Sequence, residues 1–134
     1  MSKVIAAGAT GEIFASAART AAPTAVEFRL AAGCRGIMLF LDVTAITGSP
    51  TLTPSVNIKD TDGAGDTEPI ATFTAISPSA NDHRIYIVYP GAVETGALTP
   101  VEMQGVPCPV HGTISIAHGD ADSATYTMSY QGLS

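Results

Sequence analysis

Apolar and polar residues alternate in short segments of the chain, which is the pattern of β-strands. Val26, Phe28 and Leu30 alternate with the charged Glu27 and Arg29. Because successive side chains of a strand point to opposite faces, this segment predicts a strand with one face in a core and the other in solvent.

Two other segments are apolar on both faces. Residues 37 to 46 (IMLFLDVTAI) and 84 to 89 (RIYIVY) lack a polar face over much of their length. Strands of this kind are covered on both sides or face a partner.

Eight segments with strand character, separated by Gly, Pro, Asp and Asn turn signals, predict an all-β fold. We expect two packed antiparallel sheets, a β-sandwich of the jelly-roll or immunoglobulin-like type. Pro54 lacks a backbone donor, which predicts an edge strand or a bulge there, and Val110, Ile114 and Ile116 are expected to point inward. The predicted strands cover residues 13 to 19, 25 to 30, 37 to 46, 52 to 59, 68 to 77, 84 to 89, 110 to 117 and 124 to 130.

The first 24 residues are small and Ala-rich, without a long periodic pattern. They predict an N-terminal arm or an edge strand, in front of a sandwich domain at residues 25 to 134. Residues 91 to 109 hold three prolines and form the longest predicted loop. Neither segment is expected to supply the core, and if residues 1 to 20 are an arm that docks on a neighbour, their deletion should leave a folded domain.

Composition and charge exclude several classes of protein. The chain has 134 residues, 46% of them hydrophobic and 13% charged, so one domain with a core is expected and intrinsic disorder is not. Twelve acidic against six basic residues give a net charge of -6, which disfavours nucleic acid as a partner. No apolar run approaches the roughly 18 residues of a membrane span, and no secretory signal is recognisable, so we expect a soluble protein made in a cytoplasm.

Candidate chemistry is sparse. Cys34 and Cys108 are expected to be free thiols, with a disulfide as the alternative. His118, Asp120 and Asp122, or the acidic residues between 60 and 68, offer ligands for a divalent ion, but carboxylates in such turns ordinarily cap backbone donors. No nucleophile lies in a recognisable catalytic setting, so we expect no enzyme, no cofactor and no metal.

The four tyrosines raise one further possibility. A sugar-stacking platform of Tyr86, Tyr89, Tyr126 and Tyr130 is conceivable, although tyrosines at strand ends ordinarily serve packing.

Several blocks of the sequence resemble a family of small virion structural proteins from tailed phages. Residues 40 to 52 (FLDVTAITGSPTL) with 56 to 60 (VNIKD) are similar to the family's first signature. Residues 84 to 91 (RIYIVYPG) and 116 to 128 (IAHGDADSATYTM) are similar to its later blocks, and residues 15 to 20 to its opening strand. The blocks occur in the family's order over about residues 15 to 130, while residues 60 to 66 and 98 to 108 depart from it.

The resemblance implies a β-sandwich on the outer surface of a phage head, most simply a capsid decoration (cement) protein that stabilises the shell. The implied partners are the major capsid protein and further copies of the chain, as a homotrimer, with synthesis in the host cytoplasm. A tail, neck or head-fibre component and a carbohydrate-binding module for host attachment remain alternatives. The residues expected to contact the capsid or a sister subunit are Val4, Ile5, Ile13, Phe14, Leu98, Val101 and Met103.

Overall fold

The computed structural model describes residues 3–59, 67–94 and 101–134. Within these ranges the chain is all-β, with ten strands in two five-stranded sheets. The strands are β1 (Lys3–Ile5), β2 (Thr10–Arg19), β3 (Val26–Leu30), β4 (Gly36–Thr47), β5 (Leu52–Lys59), β6 (Thr67–Thr72), β7 (Asp82–Val88), β8 (Val101–Gln104), β9 (His111–His118) and β10 (Ser123–Leu133).

Both sheets are mixed. The first has the order β1-β3-β9-β5-β6 and the second the order β2-β10-β4-β7-β8. The pairs β1–β3 and β7–β8 are parallel and the other strand pairs are antiparallel, so the expectation of purely antiparallel sheets is wrong. Buried apolar side chains from both sheets form one core cluster, which includes Phe28 of the first sheet with Leu39 and Tyr126 of the second.

The expected strands are present, with different bounds in places. The strand expected over residues 68 to 77 ends at Thr72, and only an isolated bridge joins Ile76 to Leu52. Strands β1 and β8 were not expected, and β8 lies inside the stretch interpreted as a long loop. Residues 60 to 66, which hold most of the acidic residues considered as ion ligands, lie outside the described residues.

The N-terminal segment contributes to the core, which corrects the expectation that it does not. Strand β1 joins the first sheet beside β3, and β2 forms an edge of the second sheet beside β10. Ile5, Ile13 and Phe14 are 0%, 6% and 4% exposed. Their apolar surface is therefore buried together with that of the later strands.

Two expectations about single positions are also settled. Pro54 lies in an interior strand, because β5 pairs with both β9 and β6, so the expected edge position is wrong. The register of β5 with β6 begins at Ser55, and its bulge is at Ile70 of β6, opposite Val56 and Asn57, and not at Pro54. Val110 is 64% exposed and precedes β9, so its expected inward orientation is wrong, whereas Ile114 and Ile116 are fully buried.

Arg19 stabilises the irregular pairing of β2 with β10. The register of this pair shifts next to Tyr126 and Met128. The Arg19 guanidinium donates to the carbonyl oxygens of Ala17 at 3.2 Å and Tyr126 at 2.9 Å, and lies 4.5 Å from the centroid of the Tyr126 ring. One cation thus satisfies carbonyl groups at the end of an edge strand.

Candidate contact surface

The structure separates the seven expected contact residues into three groups. Val4 is 63% exposed, and Val101 and Met103 are partly exposed on β8. The side chains of Ile5, Ile13 and Phe14 are buried in the core, so they are not available for a partner and their assignment as surface anchors is corrected. Leu98 lies outside the described residues.

Val101 and Met103 belong to a larger apolar surface on the second sheet. In β4, the fully buried Ile37 and Leu39 face the core, and alternation directs Met38 and Phe40 outward. In β7, Tyr86 is likewise buried while its neighbours are only half-buried. The outward side of both strands is therefore apolar.

Strand register brings these residues together in two rows across three strands. We call them the apolar face, and each of the six side chains is partly exposed. Because paired residues of neighbouring strands point to the same side, the six form a continuous patch. One row is Phe40, Ile85 and Val101, and the other is Met38, Ile87 and Met103.

Polar groups border the apolar face. Ser129 and Gln131 of β10 lie opposite Phe40 and Met38 in the β4–β10 register. At one end, His83 Nδ1 lies 3.2 Å from Asp42 Oδ1, with both side chains largely exposed. An apolar patch with a polar rim is a common composition for a contact surface.

The outer face of the first sheet has the opposite character. Ser55 and Ser115 hydroxyls lie 2.8 Å apart, and the Asn57 amide donates to both Thr113 and Ser115 at 3.2 Å. These side chains satisfy one another in a polar ladder across β5 and β9.

A charged cluster continues this polar face toward β3. Glu27 accepts from Lys59 Nζ at 2.7 Å and lies 2.5 Å from His111 Nε2. The middle of the first sheet's outer face is therefore polar and hydrogen-bonded, with the exposed Val4 on its edge strand β1, whereas the outer face of the second sheet is apolar over β4, β7 and β8.

The carboxylates of the β9–β10 turn are used locally. Asp122 accepts from the backbone N–H of Ser49 at 2.9 Å, and Asp120 accepts from that of Asp122 at 3.1 Å. His118 Nε2 instead lies 2.9 Å from the Tyr126 hydroxyl. Across the described ranges, no group of three His, Cys, Asp or Glu side chains is placed to hold a metal ion.

The two thiols lie in or against the core. Cys34 is buried and Cys108 is half-buried, and they are not bonded to each other. Burial, with a smaller contribution from Cys34, raises the pKa of the Cys108 thiol to about 12. Cys108 is therefore protonated at neutral pH and is a poor nucleophile.

The tyrosines do not form an exposed platform. Tyr86, Tyr126 and Tyr130 are 2%, 0% and 9% exposed, so their rings are packing elements. Tyr89 is partly exposed and donates its hydroxyl proton to the carbonyl oxygen of Ser134 at 2.9 Å.

Sequence reasoning singled out Val101 and Met103 of the apolar face but not Met38, Phe40, Ile85 and Ile87. The available signal was the two-sided apolar character of residues 37 to 46 and 84 to 89.

Comparisons with known protein families, curated proteins and solved structures find no match to the chain. Within the described ranges, no helix has the length and apolar character needed to cross a membrane.

Proposed function

We propose that this chain is a structural protein of tailed-phage virions, a capsid decoration (cement) protein that binds the outer surface of the head and stabilises the shell. The observation that carries the proposal is the contrast between the apolar face and the polar ladder on the opposite side of the molecule. A non-enzymatic protein that binds a shell with one side and faces solvent with the other needs this asymmetry.

The sequence resemblance supports the same proposal. Its blocks coincide with β4, β5, β7 and the connection from β9 to β10, which passes from the first sheet to the second, so they lie on strands of both sheets. The proposal includes two finer points: the fold is a β-sandwich of the jelly-roll or immunoglobulin-like type, and the protein is located on the phage head.

The size of the apolar face indicates how such a protein binds. With strands about 4.8 Å apart and alternate residues about 6.7 Å apart, six side chains on three strands cover about 200 Å². A stable pairwise complex buries about 800 Å² on each partner. One apolar face therefore gives only a weak contact, which becomes effective when many copies act together on a repeating lattice.

We assign the apolar face to the shell. In the proposed homotrimer, a threefold arrangement presents three apolar faces at once, so binding gains from effective concentration without new contacts. The major capsid protein is accordingly the proposed partner of Met38, Phe40, Ile85, Ile87, Val101 and Met103.

The test is binding to heads assembled without this protein. Ile87→Lys places a charge in the middle of the apolar face, and the outward orientation of Ile87 lets the fold accept it. We expect its apparent affinity for the heads to fall by about tenfold or more, since a buried unpaired charge is costly.

The matched control is Thr125→Lys, which adds the same charge to the outer side of β10, away from the apolar face. This variant should decorate heads as the wild type does, and urea denaturation verifies that both variants fold. Undiminished occupancy by Ile87→Lys would contradict the assignment. If Ile87→Lys converts an oligomer to a monomer, the apolar face is assigned to sister subunits instead. If the wild-type protein is found at only one vertex of the particle, a tail, neck or fibre component is favoured.

A further inference from the structure

A recess opens between the two sheets on the side where β8 is the edge of the second sheet. It has a volume of about 320 Å³. One wall is the segment at residues 74 to 77, which follows β6, and the other is formed by Arg84, Tyr86, Val101 and Glu102 of β7 and β8. These groups face inward or along the edge, so the recess is separate from the apolar face except at Val101.

The Tyr86 hydroxyl is the first unusual feature of this recess. The Tyr86 ring packs on Phe73 with centroids 4.6 Å apart, and the side chain is 2% exposed. Its hydroxyl is buried and has no hydrogen-bond partner among the described residues. A buried hydroxyl without a partner costs about 1–3 kcal/mol, so packing alone would favour phenylalanine at this position.

Burial also fixes the protonation state of this hydroxyl. Desolvation raises the pKa of Tyr86 to about 12; Arg84 lowers it by a smaller amount, and the carboxylates of Glu102 and Asp82 add to the increase. The group is therefore an O–H donor at neutral pH and can accept one further hydrogen bond.

Arg84 and Glu102 are held in place by neighbours and keep capacity for a ligand. Arg84 donates from Nε and Nη2 to Asp82 at 3.1 to 3.3 Å, which leaves Nη1 without an acceptor among the described residues. The Glu102 carboxylate accepts from the Thr74 backbone N–H at 3.0 and 3.2 Å, and its Oε2 also accepts from Gln104 Nε2 at 3.4 Å. Each oxygen of a carboxylate can accept more than one hydrogen bond.

The charges around the recess select the class of ligand. Asp82, Arg84 and Glu102 sum to a formal charge of −1, which disfavours an anion. Fixed donors and a fixed acceptor beside one another suit a group that both accepts and donates, as a sugar hydroxyl does. The volume lies at the lower end of the range for ligand sites, about 300–1,000 Å³, so one ring fits.

We propose that this recess binds a single neutral sugar residue, whose hydroxyls accept from Tyr86 and Arg84 and donate to Glu102. The site goes beyond the proposed attachment to a shell and does not depend on it, because none of these three residues belongs to the apolar face. A protein displayed on a particle surface would thereby gain a weak contact to glycans.

The experiment is ligand-observed NMR on the isolated full-length chain, with glucose, galactose, mannose and N-acetylglucosamine as probes and the anionic N-acetylneuraminic acid for comparison. We expect at least one neutral sugar to give saturable binding in the millimolar range, tighter than that of the anionic sugar. Tyr86→Phe removes only the hydroxyl and keeps the packing on Phe73, so it should fold and weaken binding by about tenfold.

Tyr89→Phe is the matched control, because it removes a tyrosine hydroxyl outside the recess. It should leave the affinity unchanged. Any of three results would overturn the proposal. These are no saturable binding of any neutral sugar up to about 100 mM, an equal affinity for the sugar in the Tyr86→Phe variant, and a preference for the anionic sugar. Head binding is measured separately, so failure here leaves the proposed attachment to the shell intact.

Discussion

At the scale of single residues, a polar contact links the two sheets at one end of the core. His118 at the end of β9 meets Tyr126 of β10, whose ring also lies against Arg19. Burial and the positive charge of Arg19 lower the pKa of His118, against a smaller opposing effect of Asp120. His118 Nδ1 is buried and has no partner among the described residues. The folded protein therefore favours the neutral imidazole.

This preference predicts a pH dependence of stability. The unfolded chain binds a proton at His118 as the pH falls through about 6.5, whereas the folded chain resists protonation until a lower pH. The free energy of unfolding should therefore decrease as the pH falls below about 6.5, and this loss should end below the folded-state pKa. Urea denaturation at about pH 7.5 and pH 5 measures the effect.

The variant His118→Gln separates this effect from the other histidines. Glutamine keeps a polar group near the Tyr126 hydroxyl but does not titrate, so the variant should lose less stability between the two pH values than the wild type. His83 and His111 are unchanged in the variant. An identical loss in the two proteins would show that His118 is not the titrating group.

At the scale of elements, alternation predicts strands but not their partners. Segments such as β3 and β5 were found because five to eight residues suffice to show a period of two. Strands β1 and β8, with three and four residues, are too short to show one. The parallel pairs were missed because periodicity reports which side chains share a face and not the direction of the neighbouring strand.

The same limit explains the candidate site. Two-sided apolar strands are compatible with a core covered on both sides and with an exposed apolar face. The partial exposure of the outward side chains distinguishes the two cases, and the register of β4, β7 and β8 places these side chains next to one another. The recess depends on Thr74 and Glu102, which are distant in sequence and carry no shared pattern.

The turn after β4 gives a prediction at this scale. Gly48 has a φ of 74°, and a Cβ there would lie 2.6 Å from the Asp122 carboxylate that caps Ser49. Gly33 has a similar φ of 86° but open space around it. We expect Gly33→Ala to lose about 1 kcal/mol through backbone strain alone. Gly48→Ala should lose about 1–2 kcal/mol more, because the carboxylate must move and its hydrogen bond is broken. Chemical denaturation compares the two variants, and equal losses would mean that Asp122 does not constrain the turn.

At the scale of the whole molecule, the termini are joined through the second sheet. Strand β10 is an interior strand that pairs with both β2 and β4, so the last strand of the chain depends on the first twenty residues for one of its neighbours. The apolar face lies at the other end of the same sheet, on β4, β7 and β8. Folding and attachment therefore depend on different parts of one sheet and can be tested separately.

Deletion of residues 1 to 20 is the decisive test of this division. It removes the buried side chains of Ile5, Ile13 and Phe14. Losing side chains of this size costs about 2–5 kcal/mol each, so the three together match the total stability of a typical domain, about 5–15 kcal/mol. We expect the truncated chain to lose its cooperative urea transition, whereas Val4→Lys, on an exposed position of β1, should change the free energy of unfolding by no more than about 0.5 kcal/mol. A truncated chain that unfolds cooperatively at the wild-type midpoint would show that the segment is an arm and that the core closes without it.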